Sequence, residues 1–206
     1  MGYRQTEPEE HLVSLTEALL NEIQSFITPE CAFKIYSGNI DGETVNLDEG
    51  VCFQVGPILS FLMQGSESFA LFTATAGRSF QLYQDELKKE DDILKIYTAD
   101  IIGSIIAEAA GDYMESMLGK EIGESRHTAR YSPGYCGWRL SGQRELFRLL
   151  DGNPCDITLS DVFLMTPIKS ISGIVGIGPN VKEKMYGCYC CDLKTCYKRL
   201  SIGHIR

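Results

Sequence analysis

Long apolar runs are missing from this 206-residue chain: no stretch of about 18 or more uncharged apolar residues occurs, which excludes an obvious membrane-spanning helix. The first ten residues, MGYRQTEPEE, do not set a basic segment before an apolar one, so a protein that stays soluble in the cytoplasm is expected. Several catalytic signatures are absent as well. There is no G-x-S-x-G, no H-E-x-x-H, no phosphate loop and no G-x-G-x-x-G after a strand. GIVGIG at 173–178 reads as a strand and its turn. The three histidines, His11, His127 and His204, lie too far apart in sequence to suggest a ligand pair and read as surface or helix-end residues. Positive charge is also scarce outside the end of the chain. The formal net charge is -9, yet residues 182–206 hold six Lys or Arg against Glu183 and Asp192, leaving the rest near -13. An acidic body repels phosphate backbones, so nucleic acid is not expected as a partner.

What is present suits one domain with an appended tail: 44% of residues are hydrophobic, enough for a sizeable core. The composition shifts at about residue 182, dividing the chain into 1–181 and a Cys-rich basic tail, 182–206. Thr6 and Glu9 suggest a capping box ahead of a helix carrying Leu12, Leu15, Leu19, Ile23 and Phe26, stopped by Pro29. AFKIY and VNLDEGVCFQV read as extended segments around a turn in GNIDGE, PILSFLMQ as a short buried helix, and SFALFTATAG as a core strand. The longest helix is expected from about Thr98 to Leu118, with Ile101, Ile102, Ile105, Ile106, Ala109 and Tyr113 on its apolar side and Gly119 as its stop. Gly103, Ala107, Ala110 and Gly111 form a small-residue face, a device for close packing. Ser141 can cap a helix through Leu150, and DITLSDVFLM and SISGIVGIG read as strands around the turn TPIK.

RYSPGY, residues 130–135, places a cation five residues before a tyrosine. Pro133 followed by Gly134 favours a type II turn, proline fixing the first central residue and glycine taking the positive φ of the second. Such a turn needs no ligand. If it holds one, Arg130 calls for a carboxylate, which its guanidinium matches with two parallel hydrogen bonds. Tyr135 calls for a flat or cationic group against its ring. A zwitterionic sulfonium nucleoside meets both demands.

RYSPGYCGW together with LSDVFLMTPIKSISGIVG resembles the signature of the cobalamin-dependent methionine synthase activation domain. The shared pattern falls on Arg130, Gly134, Tyr135, Met165, Pro167, Ser170, Ser172 and Gly173, and TADIIGSIIAEAAGDYMESML is similar to the family's long helix. The resemblance covers about residues 95–180 well and the first half loosely. It implies an α+β fold, long helices packed on a twisted antiparallel sheet bent around a ligand groove. It also implies S-adenosylmethionine as ligand, with Arg130 on its carboxylate and Glu124 on its ammonium. Backbone at Pro133 and Gly134 would lie along the adenosine, Tyr135 would wall the pocket, and Tyr186 would give a second tyrosine contact. Read without the resemblance, Glu124 is an exposed helix-end carboxylate. The implied role is a stand-alone reactivation protein that supports reductive methylation of an oxidised corrinoid on a methionine synthase or another corrinoid methyltransferase. The partner would supply the cobalamin, and flavodoxin or ferredoxin would serve as electron donor. Whether the chain is itself an enzyme stays open, and the alternative is a non-catalytic ligand- or metal-binding partner module of corrinoid systems.

The tail is not explained by that resemblance. CYCCDLKTC contains C-x2-C-x4-C through Cys188, Cys191 and Cys196, with Cys190 as a spare and Lys198 and Arg199 following. Thiolates at this spacing suit a soft ion, an iron–sulfur cluster or zinc, and the neighbouring cations would lower their pKa. Thiols without metal, or paired as disulfides, are the other reading. Cys31, Cys52, Cys136 and Cys155 read as small core or near-site residues.

Overall fold

A computed structural model of the chain describes residues 7–152 and 154–182. Its elements are α1 (Glu10–Gln24), β1 (Glu30–Asp41), β2 (Thr44–Leu47), β3 (Cys52–Gln54), α2 (Gly56–Leu62), β4 (Ser68–Thr75), α3 (Arg78–Leu87), α4 (Ile93–Ile122), β5 (Arg126–His127), α5 (Gly142–Leu149), β6 (Thr158–Leu159), β7 (Met165–Thr166) and β8 (Ser170–Gly178), with a 3-10 turn at Pro154–Asp156. Six strands form one sheet in the order β3-β2-β1-β4-β8-β5, and every pairing is antiparallel. This is the expected α+β architecture.

β4 is the central strand, and its sequence explains why. SFALFTAT is apolar or small at every position, so both of its faces can be covered, and seven of its eight residues are buried. On one face Ala70 and Phe72 pack with Val175 and Ile177 of β8 against Met114 and Leu118 of α4. On the other, Phe69, Leu71 and Ile174 join Trp138, Leu146 and Phe147, so that α5 and the loop before it close the second side.

Several expectations are corrected. α1 starts at Glu10 with Glu9 at its N-cap and no side-chain cap bond, so the proposed capping box does not set its start; Thr6 lies outside the described residues. β1 runs straight through Gly38–Asp41 because β2 pairs with it there, and the chain turns only at Gly42. DITLSDVFLM is not one strand but the β6–β7 hairpin, with Thr158 opposite Thr166. Ser141 is the N-cap of α5, but its hydroxyl makes no cap bond.

α4 is longer than its periodicity suggests. Asp92 caps its start by accepting from the Lys95 N–H at 2.9 Å, and it continues past Gly119 to Gly123, whose φ of +61° ends it. Its buried face is the small-residue one, Gly103, Ala107, Ala110 and Gly111 with Ile102, Met114 and Leu118. Ile105 and Tyr113, placed by the pattern on the apolar side, are more than 60% exposed, at 62% and 63%. Close approach to the neighbouring elements is the reason: a Cβ at Gly103 would strike the fully buried Phe80 ring. α3, packed against α4 through Phe80, was not signalled by the charged RSFQLYQDEL.

Candidate functional site

After α4 the chain returns along β8 as an extended edge. Arg126 and His127 pair with Gly178 and Ile177, the Thr128 N–H donates to the Gly176 carbonyl at 2.8 Å, and Tyr131 and Ile174 exchange bonds of 3.0 and 2.8 Å. One extra residue stands between Thr128 and Tyr131 relative to β8, and the adjacent side chains that follow it point to opposite sides. Tyr131 therefore enters the core on the α5 side, where it is 4% exposed, while Arg130 turns toward α4.

The Arg130 side chain is 17% exposed and lies against the backbone of Gly111, where a Cβ would collide with its Nη1. Nη2 donates to Asp112 Oδ1 at 2.6 Å and to Glu108 Oε2 at 3.4 Å, and Nε lies 3.6 Å from Glu115 Oε2. Glu115 Oε1 is also 3.6 Å from His127 Nδ1, which sits 2.9 Å from the Thr128 carbonyl; this histidine belongs to the cluster and is not a plain surface residue. Nη1 is buried and has no hydrogen-bond partner among the described residues. A buried donor left without an acceptor costs about 1–3 kcal/mol. Asp112 and Glu108, by contrast, are 73% and 62% exposed, so their pairs with Arg130 contribute only about 0–1 kcal/mol each and are readily exchanged.

The turn that follows has the expected form. The Tyr135 N–H donates to the Ser132 carbonyl at 3.3 Å across Pro133 and Gly134, and Gly134 takes φ +98°, which a side-chain-bearing residue adopts only under strain. Two further bonds, Trp138 N–H to the Tyr135 carbonyl at 2.9 Å and Gly134 N–H to the Trp138 carbonyl at 2.8 Å, tie the loop to a tryptophan that is 2% exposed. Trp138 meets Phe53 edge-on, with centroids 5.7 Å apart. A rigid base thus presents Tyr135 outward at 59% exposure.

The other predicted residues fall as follows. Glu124 is exposed in the turn after α4 and makes no ion pair among the described residues; the carboxylates at Arg130 are Glu108, Asp112 and Glu115 instead. The sequence reading missed these three, although their i, i+4, i+7 spacing puts them on one helix face. Tyr186 and Cys188, Cys190, Cys191 and Cys196 lie outside the described residues, and among the described residues no cluster of three or more His, Cys, Asp or Glu could hold a metal ion. Cys136 follows the turn as a near-site residue, and Cys31 and Cys155 are half-buried, but Cys52 is exposed, not a core residue. The two grooves along β1 and α4 are lined neither by Arg130 nor by the turn.

The family model for the vitamin B12 dependent methionine synthase activation domain matches residues 59–192, a span that includes α4, Arg130, the turn and β8. The chain belongs to this family. The match begins earlier than the sequence motifs suggested, at the α2 helix. No curated protein matches the chain. Among solved structures, the crystal structure of the MetH reactivation domain bound to AdoHcy superposes with a TM-score of 0.63 at 18% identity, over 85% of this chain and 67% of that one. That likeness is one of fold, and it confirms helices packed on an antiparallel sheet as the family architecture. No helix among the described residues is long and apolar enough to cross a membrane.

Proposed function

We propose that this activation-domain chain binds S-adenosylmethionine at Arg130 and the Pro133–Tyr135 turn, and serves a corrinoid-dependent methyltransferase as its reactivation component. The observation that carries the reading is the buried Arg130 Nη1, which has no acceptor among the described residues while its sister nitrogen is held by exposed, exchangeable carboxylates. A ligand carboxylate satisfies that donor and takes over the bond from Asp112. The AdoHcy bound by the MetH reactivation domain, whose fold this chain shares, supports the choice of ligand.

In this reading Arg130 orients the amino-acid end of the ligand, Glu124 accepts from its ammonium, and the Pro133–Gly134 backbone runs along the adenosine. Tyr135 shields one side from water, and Tyr186 adds a second aromatic contact. The corrinoid, held by the partner, would supply a reduced cobalt nucleophile, and the sulfonium held at Arg130 and Tyr135 would supply the methyl group and leave as S-adenosylhomocysteine; a donor such as flavodoxin or ferredoxin would supply the electron. The chain's share is positioning and exclusion of water, which needs no general acid or nucleophile of its own. The chain works in the cytoplasm, with Cys188, Cys190, Cys191 and Cys196 holding an iron–sulfur cluster or zinc; visible absorption after anaerobic purification distinguishes the cluster from zinc.

Calorimetric titration tests the site. The parent should bind S-adenosylmethionine, and Arg130→Ala should bind it about 10- to 100-fold more weakly, since hydrogen bonds to charged groups contribute about 1.5–3 kcal/mol. No binding by the parent, or equal binding by the variant, defeats the assignment.

A further inference from the structure

The first half of β1 is an open sheet edge. β2 pairs with β1 only over Gly38–Asp41, whereas from Glu30 to Ser37 its sole strand neighbour among the described residues is β4. The Gly38 N–H donates to the Glu67 carbonyl on the β4 side, while the Ser37 carbonyl accepts from Asp48 N–H on the other. By strand alternation, Cys31, Phe33 and Ile35 therefore direct their backbone groups away from β4. Among the described residues no hydrogen bond takes up those groups. A cleft of about 690 Å³ runs along Cys31–Tyr36 beneath Met117 and Glu121 of α4. It adjoins a second of about 680 Å³ that includes Ile106, Ala109 and Tyr113. Tyr113 and Met117 are 63% and 40% exposed beside it. Unprotected edges template another strand, and this one carries its own apolar awning.

We infer that two copies of the chain pair through this edge, β1 antiparallel to β1, with Ala32 opposite Ala32 on the two-fold axis. Charge complementarity selects the occupant and the register. With Ala32 on the axis, Lys34 of each copy stands opposite Glu30 of the other, on the face away from α4. Cys31 and Phe33 form the outward hydrogen-bonded pairs that the backbone already presents. Ala32 is small enough for close approach at the axis. The register centred on Phe33 places Lys34 opposite Ala32 and Glu30 opposite Tyr36, leaving both charges unmatched. Lys34 bonds to Asp151 at 2.5 Å within its own chain, so in the pair it lies between two carboxylates. The arrangement is isologous, as a closed dimer requires, and it brings the Tyr113 and Met117 surfaces of the two copies toward one another across a continuous sheet.

Sedimentation velocity decides the matter on the full chain. The parent should be a dimer. Lys34→Glu sets like charges opposite each other twice and should weaken the dimer about tenfold or more. The exchange Glu30→Lys with Lys34→Glu should restore it. Ile35→Pro removes an N–H that faces away from β4 and should give a folded monomer. If that variant fails to fold by circular dichroism, the charge exchange alone decides. A parent that stays monomeric up to its solubility limit overturns the proposal, as does a dimer indifferent to Lys34→Glu, or a monomer whose edge instead takes up an extended partner peptide.

Discussion

Three glycines of α4 are given different roles by their surroundings, and replacing each by alanine separates helix propensity from packing and from ligand binding. In a helix interior alanine is favoured over glycine by about 1 kcal/mol. At Gly119 an added Cβ meets nothing within 4 Å, so Gly119→Ala should gain that amount, raising Tm by about 2–4 °C for a chain of this size. At Gly103 the methyl drives into the fully buried Phe80 ring and against Lys169 Cγ at 2.9 Å. Overpacking of that kind costs about 1–3 kcal/mol, which cancels the propensity gain and leaves a net loss of up to about 2 kcal/mol. At Gly111 the obstacles are the ends of two side chains, Arg130 Nη1 and, at 2.6 Å, Ile171 Cδ1. They can move, so stability should stay within about 1 kcal/mol of the parent, the overpacking and propensity terms offsetting each other. The arginine cannot then keep its place. Calorimetry should show S-adenosylmethionine affinity down about tenfold or more in Gly111→Ala, with Gly119→Ala unchanged, the loss of one charge-assisted bond being about 1.5–3 kcal/mol. Thermal melts and titrations of all three variants form the assay. If Gly111→Ala binds as well as Gly119→Ala, the guanidinium does not work from the position described.

Asp112→Asn should tighten S-adenosylmethionine binding, because it weakens the internal competitor for Arg130; weaker binding, read by calorimetry, would mean that Asp112 itself contacts the ligand. Gly134→Ala should lower stability by about 1 kcal/mol in a thermal melt, since φ +98° strains any residue with a Cβ, and an unchanged Tm would contradict the turn assignment. The thiols of Cys31 and Cys155 are pushed up by burial, the Thr73 hydroxyl opposing this at Cys155. Thiolate is the reactive form, so at about pH 8 both should alkylate more slowly than exposed Cys52, and the lag should shrink as pH rises. Peptide mass spectrometry that finds Cys155 labelled as fast as Cys52 would refute this.

Legibility in the sequence followed how local the cause was. β4, β8, α2 and the Pro133–Gly134 turn are dictated by their own residues, through continuous apolar runs or fixed dihedral preferences. Nothing in GNIDGE announces that β2 will hold it extended, and RSFQLYQDEL buries only Phe80, Gln84 and Leu87, too few apolar positions to show a helix by pattern. The buried side of α4 was misassigned because its large apolar residues outnumber the small ones, yet close packing against Phe80 and Arg130 requires the small ones inside. At the site, Arg130 and its turn were visible as a motif. The acids that hold Arg130 were not, because they lie 15 to 22 residues upstream and reach it only through the return of the chain along β8.

The one extra residue between Thr128, which bonds to Gly176, and Tyr131, which pairs with Ile174, has a corollary for sequence length. Losing one residue between Thr128 and Arg130 would remove that slip and still leave Tyr131 opposite Ile174 with His127 and Arg130 on the α4 side, whereas gaining one would demand a second irregularity in the ladder. Related chains should therefore accept a one-residue deletion here more readily than a one-residue insertion.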